Sequence, residues 1–371
     1  MGSTPENSMA GSYRPVQRVY NIQALRAVAA LIVTFHHIRE MYVSHIEGIL
    51  NFRIGAAGVD IFFIISGFIM VVTTSHRPIT PAKFLERRIK RIVPLYWLVT
   101  FMIIAMLFIG LEPIGLASSD LGIGSALGSL FFIPFYRQGG ELLPFLGVGW
   151  SLNFEMFFYL LFGVGLFFAG QKRRLVFITG CLIGLVVLGA LVKMDTPAWF
   201  AFTHPILLEF AAGLWLGYAY LKWPPSALSQ PRALGPLLLI LGVVALLATV
   251  VLYKAPKEQL FTLRPLVWGI PALFIVVGTL LSERAGLISK NKFMQLMGDA
   301  SYALYLIHPI VLQTTHKAFT AILPKSLATT IMMSIAALIL SIVAGLVLHL
   351  FIEKPITRLL NKSSKPKELK V

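Results

Sequence analysis

Apolar stretches of about 20 residues recur along the chain, at 22–41, 55–74, 93–111, 149–169, 175–192, 200–221, 235–253, 262–281, 298–316 and 327–352. A helix of that length spans the hydrocarbon core of a bilayer, so the pattern predicts an all-α polytopic membrane protein with about ten transmembrane helices. The alternating ten-residue segments of a membrane β-barrel are absent from the sequence. One further stretch, 121–136, is short and holds three glycines and Pro134. It reads as a re-entrant or surface piece of a long external loop, 111–148, that covers a site for an acceptor.

Charge fixes the expected orientation. Basic residues gather at Arg14 and Arg18, from Arg77 to Arg91, at Lys172 to Arg174, at Lys222 and Arg232, from Arg284 to Lys292, and after Lys354. With ten crossings, all of these fall on the cytoplasmic side, as the positive-inside rule requires, and both termini are cytoplasmic. A spanning 121–136 would expel Lys172, Arg173 and Arg174 to the other face. The net charge of +16 therefore reflects topology, and nucleic acid is a poor partner for this chain. A hydrophobic content of 57% against 13% charged excludes a soluble domain.

The single cysteine, Cys181, lies in an apolar run, which leaves no internal disulfide, no thiolate cluster and no expected metal site. The polar N-terminus precedes a long span without a small-residue cleavage site, so that span reads as an anchor and not as a signal peptide.

Against this background the polar residues inside the spans stand out, because charge in a hydrocarbon layer is costly and marks a functional site. Arg26 and His37 are eleven residues apart, which brings them to within roughly 20° of each other on one helical face. Gln23 and Glu40 extend the same stripe. His37 lies about 16 Å beyond Arg26 along the helix, and a neutral imidazole in a desolvated cavity suits a general base. Asp60, which enters the second span from outside, and Glu40 are both candidates to orient it. Glu155 opens the fourth span at an expected depth near that of His37. In the ninth span Ser301, Tyr305 and His308 share a face, offering either substrate-binding groups or a structural hydrogen-bond network.

The segment 81–94 reads as an interfacial amphipathic helix before the third span. Its Lys83, Arg87 and Lys90 point toward lipid phosphates, whereas Arg88 and Arg91 flank Phe84 beside the buried face. Arg suits phosphate by geometry, so these two are expected to bind a phosphate-bearing ligand within the protein.

Together, Arg26 through His37, Gly58 to Phe68, Phe84 to Trp97 with its Arg88-x-x-Arg91 pair, Gly149 to Glu155, Leu208 to Phe210 and Gly298 to Pro309 resemble the membrane acyltransferase-3 family, in its exopolysaccharide-production type of O-acyltransferase. The resemblance implies a membrane acyltransferase domain over 21–354, between a disordered cytoplasmic N-terminus, 1–20, and a basic cytoplasmic tail, 355–371. It implies transfer of an acyl group, usually acetyl, from acetyl-CoA or another acyl-CoA to a glycan hydroxyl, in a bacterial cytoplasmic (inner) membrane. It also implies His37 as base and Arg88 with Arg91 at the donor. The expected site is thus His37, Asp60 and Glu155 for chemistry, Arg26, Arg88 and Arg91 for the donor, and Glu40, Tyr305 and His308 for the acceptor, a glycan or lipid-linked saccharide. Some relatives carry a hydrolase-like soluble domain after the bundle; with about twenty residues after the last span no such domain is expected here, and transfer by the membrane part alone is expected. A transporter or flippase of a lipid-linked saccharide is the competing reading, disfavoured by the absence of an evident internal repeat.

Overall fold

The computed structural model describes residues 18–43, 54–75, 78–109, 116, 120, 122–223, 231–252, 261–324 and 326–362. Regular structure among them is entirely helical. Helix α1, Tyr20–Ile38, runs on into a π-helical turn, Arg39–Val43. It is followed by α2 (Ala57–Ser75), α3 (Pro81–Phe108), the short α4 (Ile123–Leu130), α5 (Trp150–Gly165), α6 (Gln171–Leu191), α7 (Pro197–Phe202), α8 (Leu207–Lys222) and α9 (Leu234–Leu252). A π turn, Pro265–Gly269, opens α10 (Ile270–Arg284), after which come α11 (Lys292–Asp299), α12 (Ser301–Thr320), α13 (Leu327–Leu348) and, past a further π turn, α14 (Lys354–Lys362).

Each of the ten apolar stretches is helical over most of its length. Among the described residues, seven helical segments are long and apolar enough to cross a membrane, and α9 has a shorter apolar helix, Leu234–Val250. Helices α1 and α12 are as long but carry Arg26, His36 and His37, or Tyr305, His308 and Gln313, and fall outside the seven. Ten crossings therefore remain the expectation, and seven is the number that length and composition support.

The segment 81–94 is the first half of α3 and not a separate helix. Thr80 caps its start by accepting from the Lys83 amide, and Pro94 inside it removes only the bond to the Lys90 carbonyl. Lys83 and Lys90 both grip Glu86, at 2.8 and 2.5 Å, and Lys90 also reaches the Leu360 carbonyl at 3.1 Å. Both lysines therefore brace the first turns of α3, and Lys90 also ties it to α14. The described part of the loop before α5 packs on α3: Tyr96 and Trp97 donate to the carbonyls of Ser129 and Leu130, at 2.9 and 2.8 Å. Helix α4, at 8 residues, is too short to span. The expected N-terminal segment falls mostly on residues 1–17, and the end of the tail on 363–371, outside the described residues.

Lipid offers no hydrophobic drive between helices, so close packing of small residues does the work. The centre is α2, which is the most buried of the spanning segments, at 78%. Gly213 and Gly217 of α8 lie against the Ile64 and Phe68 carbonyls of α2, and Gly67 of α2 against the Phe210 carbonyl. Behind this seam Phe210 stacks on Phe158 at 4.4 Å and on Phe63 at 4.6 Å. By contrast α6 is only 17% buried and α13 28%, which makes them the lipid-facing periphery. A Cβ at 213 would stand 2.1 Å from the Ile64 oxygen, whereas at Gly180 nothing lies within 4 Å. Gly213→Ala is expected to destabilise the bundle by about 1–3 kcal/mol and lower its melting temperature in detergent, with Gly180→Ala unchanged.

Candidate active site

Helix α1 is the spine of the site, and α12 runs beside it in the same direction. Arg26 donates to Ser301 Oγ at 3.0 Å and to Gln23 Oε1 at 3.3 Å. Gln23 in turn donates to Asp299 at 2.6 Å, and Asp299 also takes Arg18 at 3.1 Å. This clamp depends on Gly298, whose missing side chain leaves α11 in contact with the Gln23 carbonyl. One turn along α12, Tyr305 hydroxyl pairs with Ser151 Oγ at 2.7 Å and donates to the Val148 carbonyl at 2.9 Å, joining α12 to the start of α5. A turn further, His308 meets His37, with Nε2 of the former 3.1 Å from Nδ1 of the latter. Ser301, Tyr305 and His308, four and three residues apart, thus form a ladder of polar rungs, the first and last meeting α1 and the middle one the start of α5.

The arginines stand at the lower end of this ladder. Arg88 lies over the rings of Phe84 and Tyr159, at 5.5 and 5.7 Å, and its Nε is buried with no hydrogen-bond partner among the described residues. Arg91 is exposed, yet its charge reaches both Arg26 and Arg88. Tyr302, next to the residue that holds Arg26, donates to the Ile92 carbonyl at 2.8 Å, so Arg26 and Arg91 are at one level. The sequence placed Arg26 between the donor arginines and His37; the structure puts the three cations together. Glu155 belongs to the same level. It accepts from Ser66 Oγ at 3.1 Å and from the Tyr159 hydroxyl, and its charge reaches Arg88 and Arg26. Its expected place beside His37 is therefore corrected: one turn of α5 separates it from Ser151, which already lies a turn below the histidines.

Two further expectations change. Asp60, a candidate to orient His37, is instead held by Arg264, whose Nε and Nη2 donate at 2.9 and 2.8 Å. Both are almost fully buried, and the guanidinium lies between the rings of Trp150 and Trp268, at 5.2 and 5.0 Å. Buried Glu209 is near enough to feel both charges. Glu40 stands 3.5 Å from His36, four residues before it and so about 40° away around a helix, whereas His37 is about 60° away. Its charge still reaches His37, but the residue in hydrogen-bond contact with the His37 ring from another helix is His308.

Sequence reasoning passed over Arg264 and the pair His349 and Glu353, which are 2.7 Å apart. Glu353 is among the carboxylates whose charge reaches Arg26. An intramembrane arginine and acid were the available signal for both. Among the described residues no three His, Cys, Asp or Glu side chains are grouped to hold a metal ion.

This arrangement, in an all-helical membrane bundle, is a line of polar side chains with three cations toward one end and an imidazole pair at the other. Residues 19–350 match the Acyl_transf_3 family, described as an acyltransferase domain, and the chain belongs to that family. It is a membrane O-acyltransferase of the acyltransferase-3 type. It is 39% identical over 278 residues to the exopolysaccharide production protein ExoZ of Rhizobium meliloti (strain 1021), covering 73% of this chain and 81% of that one. It is 25% identical over 375 residues to the acyltransferase MdmB of Streptomyces mycarofaciens, over 94% of each chain. To the peptidoglycan O-acetyltransferase OatA of Listeria monocytogenes it is 25% identical over 80% of this chain and 50% of that one. No solved structure matches the chain.

The Asp60 and Arg264 pair makes a direct prediction. Asp60→Ala takes from a buried guanidinium its hydrogen-bonded carboxylate, leaving only the more distant Glu209, and a loss of about 3–5 kcal/mol follows from breaking such a pair. The expected outcome is a collapse in folded yield and melting temperature in detergent. A well-folded Asp60→Ala protein with selective loss of activity would return Asp60 to the chemistry.

Proposed function

We propose that the protein transfers an acyl group, acetyl in the simplest case, from cytoplasmic acyl-CoA to a hydroxyl of an exopolysaccharide or another cell-surface glycan, with His37 as general base. The observation that carries this reading is the alignment of Arg26 and His37 on one face of α1, with α12 supplying a polar rung to each of them. The charges of Arg88 and Arg91 oppose each other, and the phosphates of coenzyme A would relieve that repulsion. Arg88 has an unused buried donor and Arg91 an exposed head, which suits docking of phosphates at that end of the line. The about 16 Å from Arg26 to His37 is of the order that an extended pantetheine arm covers.

In this reading the acyl thioester lies near His37, and the glycan hydroxyl approaches from the outer side. His37 takes the hydroxyl proton, and the oxygen attacks the thioester carbonyl. A C–O bond forms, the C–S bond breaks, and the proton passes from His37 to the coenzyme A thiolate. No acyl-enzyme is required, and Cys181, on the lipid-facing helix α6, is not placed for one. Tyr305 and Ser151, midway along the ladder, border the path of the donor's pantetheine arm. Glu155 balances Arg88 at the donor end. The name of ExoZ associates that relative with exopolysaccharide production and that of OatA associates it with O-acetylation of peptidoglycan; both support a glycan acceptor in a bacterial membrane.

The first test is binding of acetyl-CoA to the purified protein, against a nucleotide control. Specific binding is expected, and the Arg88→Ala, Arg91→Ala double variant is expected to weaken it by about 10²-fold or more, each lost charge-assisted contact being worth roughly 1.5–3 kcal/mol. Unchanged affinity would remove the arginines from the donor site. His37→Ala is expected to lower transfer by about 10²–10⁴-fold while leaving acetyl-CoA affinity intact.

A further inference from the structure

His37 and His308 are closer than packing alone requires, with ring centroids 5.0 Å apart and the facing nitrogens at 3.1 Å. At that distance one proton lies between the two rings, and the groups facing the remaining nitrogens decide which ring donates it. His308 Nδ1 lies 3.1 Å from the Leu304 carbonyl oxygen. A carbonyl only accepts, so Nδ1 carries the hydrogen and Nε2 of His308 is bare. The residue after it strengthens this. Pro309 has no N–H, which leaves the Tyr305 carbonyl without its helical donor, and that carbonyl also lies within reach of the His308 ring.

His37 Nδ1 therefore faces two acceptors, the bare Nε2 of His308 and the Val33 carbonyl at 3.1 Å. Were it unprotonated, three lone pairs would converge on one point. The arrangement that avoids this puts the hydrogen on His37 Nδ1 and the lone pair on His37 Nε2. That is the tautomer less favoured by histidine free in water, so the fold is selecting it.

We infer that His308 is a positioning residue: a neutral imidazole that holds His37 in the Nδ1–H tautomer and so makes Nε2 the atom that receives the acceptor hydroxyl's proton. The inference rests on the reading of His37 as the base. In hydrolases built on a histidine, a carboxylate usually performs this service. Here Asp60 is committed to Arg264, and an imidazole lone pair takes its place. When His37 becomes an imidazolium, its Nδ1–H bond to His308 turns charge-assisted and strengthens, which favours the transition state over the ground state. The proton then leaves from His37 Nε2 to the departing thiolate, and both rings return to their starting tautomers. His308 touches no reacting atom in this scheme.

The test reads the tautomer itself. Protein labelled with 15N-histidine is examined in detergent by long-range 15N–1H correlation, which distinguishes Nδ1–H from Nε2–H. The chain has eight histidines, so the His37 signals are assigned by their loss in His37→Gln. The wild type is expected to show Nδ1–H at His37. In His308→Leu a population of Nε2–H is expected to appear. Coenzyme A thiol release from acetyl-CoA, with exopolysaccharide of the source strain as acceptor, is expected to show kcat down about 10²-fold and KM within about twofold. His308→Gln, whose amide oxygen offers an acceptor to the same N–H, is expected to recover part of both. Nε2–H at His37 in the wild type overturns the inference without recourse to any variant, as does an unchanged tautomer in a folded His308→Leu protein. Undiminished transfer by His37→Ala overturns the base assignment and this inference with it, which separates the two failures.

Discussion

A charge carried into a membrane bundle must be matched there, because neither lipid nor packed side chains solvate it. That constraint organises the molecule. It pairs Asp60 with Arg264 between two tryptophans, and it strings Arg26, Gln23, Asp299 and Arg18 into one chain of hydrogen bonds across α1, α11 and α12. Arg26, Arg88 and Arg91 share one region, with Glu155, Glu353 and Asp299 the carboxylates whose charges reach Arg26.

The glycine seams give that electrostatic layout its accuracy. Gly58 puts α2 against the Ala29 carbonyl of α1, Gly213 puts α8 against α2, and Gly298 puts α11 against α1. Each is a contact of backbone on backbone, which is stiffer than a contact between flexible side chains. Ser301 and His308 of α12 meet α1 in register because the helices around them have little freedom to slide.

Much of this was legible in the sequence, for reasons that differ residue by residue. Periodicity alone brought Arg26 and His37 to one face, since a regular α-helix holds register from Tyr20 to Ile38. It also brought Ser301, Tyr305 and His308 together. The same arithmetic is too coarse a guide at Glu40, which is about 40° from His36 and 60° from His37 around a helix and pairs with the former. It failed at Pro94, which reads as a boundary but sits inside a continuous α3. Partners distant in the chain were beyond reach: no spacing rule connects Asp60 to Arg264 or His37 to His308, and both pairings depend on how ten apolar stretches rotate about their axes.

The ladder joins residues near the start of the chain to residues near its end, with Arg26 bonded to Ser301 and His37 to His308. Membrane helices are delivered in order of synthesis, so α1 resides in or beside the insertion machinery while some 250 further residues are made. Throughout that interval Arg26 and His37 lack their partners on α12. The first helix is thus the least self-sufficient part of the bundle at birth, and the site comes into existence only when one of the last helices arrives to complete it.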